Sequence, residues 1–203
     1  MSRLITAAIL AGGKSSRMGA AVDKAFVLLE DKPLVEHVME RVCQFQPAEI
    51  LIISNTPERY VASSGVIVYP DCIRDSGPLG GICAALEQAT NDNLIVVGCD
   101  MPFINPALLD LIADVQLSAP TPYDVIVPRY NDQPQGLCAL YHKTLLLTIQ
   151  RRLAEGRLSL MGLFEAVNTR YLDALEYAHL EDGRSFTNIN TPDELNAAQK
   201  ASK

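Results

Sequence analysis

Gly12-Gly13 closes a short apolar run at residues 7–10, and three cations, Lys14, Arg17 and Lys24, follow it closely. Two glycines at the end of a strand let the backbone turn sharply and leave N–H groups open to a ligand. Open amides beside clustered cations suit a polyphosphate; an ordinary strand-to-helix turn with solvated charges is the competing reading. Asp100 directly follows a second apolar run, 94–98, and Pro102 stops that run from continuing. A carboxylate held there suits Mg2+, which takes one or two carboxylates together with substrate phosphates. The alternative is that Asp100 caps the next helix, a role that Asn105 fills better. Asp71 and Asp75 bracket a turn that runs into Gly77-Pro78-Leu79-Gly80-Gly81. Glycines there allow close approach to the backbone at a helix start, or simply connect a strand to a helix. Asn188 and Asn190 precede the last helix and by themselves read as ordinary capping chemistry.

These residues need elements to position them. Runs rich in Val and Ile at 5–10, 50–54, 65–69, 94–98 and 124–128 read as strands buried on both faces. Helical spacing recurs between them. Leu34, Val35, Val38, Met39 and Val42 share a face behind Pro33, Ile82, Ala85, Leu86 and Ala89 share another, and Leu108, Leu109, Ile112 and Val115 follow Asn105-Pro106. A further strand, antiparallel, is expected at 136–141 and a helix at 143–155. Thr191 and Glu194 form a capping box for a last helix, and 159–179 shows no clear period. Four βα units in series predict an α/β fold: a single Rossmann-like three-layer domain over 1–203, with a mostly parallel sheet and helices on both faces. Ligands of such sheets bind beyond the carboxyl ends of the strands. Gly12-Gly13, Ser54-Asn55, Pro70-Asp71 and Cys99-Asp100 each end a predicted strand, so the polar signals fall on one edge.

Composition narrows the partners. The chain has 203 residues, 48% of them hydrophobic, enough for a full core. A net charge of −7 argues against nucleic acid, whose binding requires neutralising many phosphates. The absence of Trp and the small aromatic content argue against a base-stacking surface. Five cysteines without a CxxC pair read as reduced, mostly buried thiols of a cytoplasmic protein, Cys99 among them as buried filler rather than a reactive group. No apolar stretch suits a signal peptide or a membrane span, so no membrane partner is expected. His37, His142 and His179 are widely separated and read as structural. GxxxxGK[ST], GxGxxG and GxSxG are all missing, which disfavours P-loop hydrolysis, dinucleotide redox chemistry and a serine nucleophile.

Five segments, LAGGKSSRMG at 10–19, VDKA at 22–25, PDCIRDSGPLGG at 70–81, GCDMPFI at 98–104 and FTNINTPDEL at 186–195, resemble in this order the bacterial molybdenum cofactor guanylyltransferases. These belong to a wider group of nucleotidyltransferases with a Rossmann-like sheet, and the resemblance spans about 6–195. LAGG with the later Arg17 and Lys24 marks the wider group; CDMP and NINTP narrow it. The resemblance implies transfer of GMP from GTP to molybdenum-bound molybdopterin, with Mg2+ as cofactor and pyrophosphate as second product. It implies that the backbone of Leu10, Ala11, Gly12 and Gly13 holds the nucleotide and that Lys24, Asn55 and Asp71 contact it. Arg17 and Lys24 would offset the triphosphate, and Asp100 would bind the metal and the nucleotide's phosphates. Gly80, Gly81, Asn188 and Asn190 fall on the pterin side. Proteins that deliver or accept the cofactor are further expected partners. The chain departs from the family by an extra residue between Met18-Gly19 and Asp23-Lys24. It also lacks basic residues at 158–161, where Arg151, Arg152 and Arg157 lie nearby. The neighbouring activities are a CTP-using molybdopterin cytidylyltransferase and a sugar- or alcohol-phosphate nucleotidyltransferase. A nucleotide-binding protein without turnover is the reading from another class, and Arg17, Lys24 and Asp100 together argue against it.

Overall fold

A computed structural model describes residues 3–11, 23–60, 66–73, 76–181 and 183–201. Gly12, Gly13, Lys14, Arg17 and Asp75 lie outside the described residues. The chain opens with β1 (Arg3–Leu10), whose side chains alternate between two cores: Ile5, Ala7 and Ile9 face one, Ala8 and Leu10 the other. A small hairpin, β2 (Leu28–Leu29) and β3 (Lys32–Pro33), precedes α1 (Leu34–Phe45). Leu34, Val35, Val38, Val42 and Phe45 are the buried stripe of α1, and Gln46 ends the helix in the left-handed region at φ 56.

β4 (Pro47–Ile53) returns parallel to β1, and β5 (Ile67–Tyr69) lies parallel beside β4. The expectation of four βα units in series fails here. The described part of the connection from β4 to β5 is a 3-10 turn at Pro57–Tyr60, and residues 61–65 lie outside the described residues. α2 (Pro78–Gln88) then carries the chain to β6 (Asn93–Gly98), which pairs with β1 on the side away from β4. α3 (Pro106–Leu117) starts at Asn105, whose Oδ1 accepts the amide of Ala107 at 3.0 Å, and leads to β7 (Val125–Tyr130).

β8 (Gln133–Pro134) hairpins onto β7, and β9 (Cys138–His142) inserts antiparallel between β6 and β7. α4 (Leu146–Ala154) and α5 (Leu160–Phe164) cover one face, with Ile149, Leu153, Leu163 and Phe164 buried. β10 (Thr169–Leu172) adds a parallel edge strand to β7 and is followed by α6 (Ala174–Tyr177). α7 (Pro192–Ala201) is the last described element, capped as expected: Thr191 Oγ1 accepts the Glu194 amide at 3.2 Å and Glu194 Oε2 accepts the Thr191 amide at 2.9 Å.

The strand order is β10-β7-β9-β6-β1-β4-β5, with β8 beside β7. β1, β4, β5, β6, β7 and β10 point one way, and β8 and β9 oppose them. The sheet is thus mostly parallel, with α1 and α3 on one core and α2 and α4 on the other. Register aligns Leu10 with Ile53 on one side and with Gly98 on the other, so three carboxyl ends lie level. The chain winds out to β4 and β5 and then crosses to β6, which makes the ends of β1 and β6 the switch point where such sheets hold ligands.

Candidate active site

Asp100 emerges at that switch point. The amide of Cys99 donates to the Leu10 carbonyl at 3.1 Å, so β6 stays joined to β1 up to the residue before Asp100. Gly98 then matters for shape. A Cβ on it would stand 2.6 Å from Asp100 Oδ1, closer than side chains tolerate, so the carboxylate lies over a position that only glycine leaves open. Burial pushes the Cys99 thiol up to about 12, with the Asp100 charge adding to the shift, and this neutral side chain is the filler that its place behind the strand predicts.

Lys24 comes to the same place from a different element. It opens a 3-10 turn, Lys24–Phe26, whose N-cap is Asp23. Asp23 Oδ1 accepts the Ala25 amide at 3.2 Å, while its Oδ2 accepts from Thr56 Oγ1 and Arg59 Nη1, each at 3.1 Å. This fastens the Lys24 turn to the loop after β4. Lys24 Nζ donates to Asp100 Oδ2 at 2.5 Å and also to Asn190 Oδ1. The Lys24 and Asp100 side chains are only 16% and 15% exposed, so the pair is partly shielded from water.

Asn190 reaches Lys24 because the C-terminal segment is anchored twice. The Ile189 amide donates to the Asp100 carbonyl at 3.0 Å, and the Ile189 side chain packs with Leu29, Leu34 and Ala198 in a small core between the β2–β3 hairpin and α7. Glu194 Oε2 accepts the Asn190 amide at 2.7 Å, which sets the asparagine at the helix start. Lys24, Asp100 and Asn190 are therefore one cluster, drawn from a 3-10 turn, a strand end and a helix cap.

The other expected residues are placed around it. Leu10 and Ala11 are buried at the end of β1, but the Ala11 amide donates to Ile53 O at 2.8 Å and the Leu10 carbonyl accepts from Cys99. The Ala11 amide and the Leu10 carbonyl are thus bonded between strands at the level where the sheet ends. Asn55 is exposed just beyond β4, beside Thr56. Asp71 sits at the start of the turn into α2, where its Oδ1 accepts the Ile73 amide at 3.3 Å. Burial raises its carboxyl above the usual range, against the hydrogen bonds from the Ile73 and Cys72 amides. Gly80 and Gly81 are buried on α2. A Cβ on Gly80 would meet Asp71 Oδ1 at 2.6 Å and Ser76 Oγ at 1.8 Å, and one on Gly81 would meet Leu10 Cδ1 at 3.2 Å. Both glycines are thus closely packed against their neighbours. Asn188 is exposed on the segment leading to Asn190.

Sequence reasoning placed Asn190 apart from Lys24 and Asp100, and it missed the parts of Gly98 and Asp23. The Gly-Cys-Asp and Asp-Lys pairs were visible signals for the last two. A carboxylate, an ammonium and an amide oxygen, partly dehydrated at the carboxyl ends of parallel strands, suit a phosphate-bearing ligand that arrives with a divalent cation.

Comparisons with known proteins show the family and the fold. The profile of the MobA-like NTP transferase domain matches residues 7–172. A Vibrio parahaemolyticus protein named molybdenum cofactor guanylyltransferase is 37% identical over 188 residues, 92% of this chain and 91% of that one. A Syntrophotalea carbinolica protein of the same name is 36% identical over 192 residues, 94% and 88% of the two chains. The crystal structure of molybdopterin-guanine dinucleotide biosynthesis protein A from Archaeoglobus fulgidus superposes with a TM-score of 0.83 at 26% identity, covering 97% of this chain and 98% of that one. The chain belongs to the MobA-like NTP transferase family and is a nucleotidyltransferase.

Proposed function

We propose that this chain transfers GMP from GTP to molybdenum-bound molybdopterin, forming the molybdopterin guanine dinucleotide cofactor and releasing pyrophosphate. The observation that carries the reading is the Lys24–Asp100–Asn190 cluster at the switch point, in a chain whose relatives are named for this guanylyl transfer. The terminal phosphate oxygen of molybdopterin attacks the α-phosphorus of GTP, a new O–P bond forms, and the bond to the β-phosphate oxygen breaks as pyrophosphate leaves. A phosphate monoester is already an anion, so the step needs no general base, and catalysis reduces to positioning and charge neutralisation.

Lys24 supplies a positive charge at the phosphates, and Asn190 orients its ammonium through Oδ1. Arg17 and the backbone of Gly12 and Gly13 belong to the same proposal, with Leu10 and Ala11 as the rigid strand end beneath them. The carboxylate of Asp100 fits Mg2+ as a charged oxygen ligand. Mg2+ bound there would neutralise charge on the phosphate oxygens. Asp71 accounts for guanine. Its half-buried carboxylate is destabilised by lost water, and the adjacent N1–H and 2-amino donors of guanine would restore hydrogen bonds that cytosine cannot. Asn55 contacts the nucleotide from the end of β4, while Gly80, Gly81 and Asn188 shape the pterin side. The reaction is assigned to the cytoplasm, and none of the described helices is long and apolar enough to cross a membrane. Asp100→Ala tests the site. Turnover should fall by about a hundredfold or more with the fold retained, and near-normal turnover would remove Asp100 from its role.

A further inference from the structure

A second cluster joins the segment after β5 to α2. Cys72, just after β5, meets Cys83 and Glu87, which are one helical turn apart on α2. Their ligand atoms all fall within 4.8 Å of one another. Cys72 Sγ stands 3.1 Å from Glu87 Oε2, and Cys83 Sγ stands 3.9 Å from Glu87 Oε1. A tetrahedral zinc ion with its usual bond lengths separates a thiolate sulfur from a carboxylate oxygen by about 3.5 Å, between those two spacings. Gln150 Nε2 donates to Glu87 Oε1 at 2.8 Å from α4, the sort of outer contact that orients a ligating carboxylate. Cys83 is buried while Cys72 and Glu87 are exposed, so the cluster has a fixed inner ligand and an open side for entry.

We propose that Cys72, Cys83 and Glu87 form a binding site for a thiophilic divalent cation of the zinc type, with a fourth position open to water. The two sulfurs separate this site chemically from the all-oxygen donors at Asp100, since soft thiolates select Zn2+ over Mg2+. Each cation bound replaces the two S–H protons, which pass to solvent, and two metal–sulfur bonds form. Bound metal would clasp the segment after β5 to α2 and so fix the turn that carries Asp71. The site stands whether or not the guanylyl transfer is correct.

Co2+ titration of the fully reduced chain in excess Mg2+ reads the site directly through thiolate-to-metal charge transfer. One Co2+ per chain is expected, displaced by one Zn2+. Cys72→Ser and Cys83→Ser should abolish the two-thiolate spectrum, Cys43→Ser should leave it intact, and Gln150→Ala should weaken binding by roughly tenfold. Cys72 is exposed, so Cys72→Ser decides the matter even if Cys83→Ser does not fold. Absence of a thiolate band, or a band that survives Cys72→Ser unchanged, would overturn the proposal.

Discussion

Lys24 is bonded on two sides, to a carboxylate and to an amide oxygen, so the position of its charge is fixed before any ligand arrives. The carboxylate owes its own position to a missing side chain. Gly98→Ala would put a methyl 2.6 Å from Asp100 Oδ1 and 3.4 Å from Leu137 Cδ1, so the carboxylate, the nearer of the two, must swing away. A displacement of this order at a positioning group costs roughly a hundredfold in turnover. The variant should therefore fold, bind nucleotide and turn over slowly; wild-type turnover would show that the carboxylate does not need this seat. Asp100 and Lys24 were legible in the sequence because each stands where a predicted strand or glycine turn ends. The partnership of Asn190 with them was not. It depends on the Ile189 contacts that bring in a segment 166 residues from Lys24, and no local pattern encodes such a contact.

At the scale of elements, α7 is the part whose start bears on the site. Glu194 Oε2 accepts two amides, those of Asn190 and Thr191, and thereby joins the helix cap to the asparagine that touches Lys24. Glu194→Ala should cost about 1 kcal/mol of stability, seen as a lower thermal midpoint, and should raise the KM for substrate more than it lowers kcat. An unchanged KM would separate the cap from the site. The cap was readable from Thr191 and Glu194 because the capping box is a local code. The β2–β3 hairpin was not, since its turn places Glu30 and Asp31 at φ 51 and 61, where Asn-Gly would have been the recognisable signal. β10 was hidden for another reason. Only Leu172 of its four residues is buried, so it carries no apolar alternation. The step from β4 to β5 was misread as a βα unit because strand spacing alone does not show which kind of turn fills the gap.

Across the whole molecule, one carboxylate ties β4 to β1 and to the segment that leads into β6. Burial works against the charged form of Glu49, but hydrogen bonds from Thr6 Oγ1 at 2.6 Å and from the Thr90 amide and Oγ1 at 2.9 and 3.0 Å, with the Lys143 charge, hold its pKa below the usual value. A depressed carboxyl contributes stability that is present above its unfolded pKa, near about 4.3, and is lost as pH falls through the folded value. Glu49→Gln should therefore be less stable than the parent at neutral pH, and the difference should shrink on acidification below that range. A difference independent of pH would refute the linkage. The alternating burial of β1 and β6 and the three-layer arrangement were legible because double-sided apolar strands have few other uses.

The measurement that bears most directly on the account is pyrophosphate release in Mg2+ with molybdenum-loaded molybdopterin, GTP and CTP being supplied in parallel. The account predicts release with GTP, dependent on the pterin and lost in Asp100→Ala. Release with CTP and not GTP would contradict the role given to Asp71, and no release with either nucleotide would contradict the proposed transfer itself.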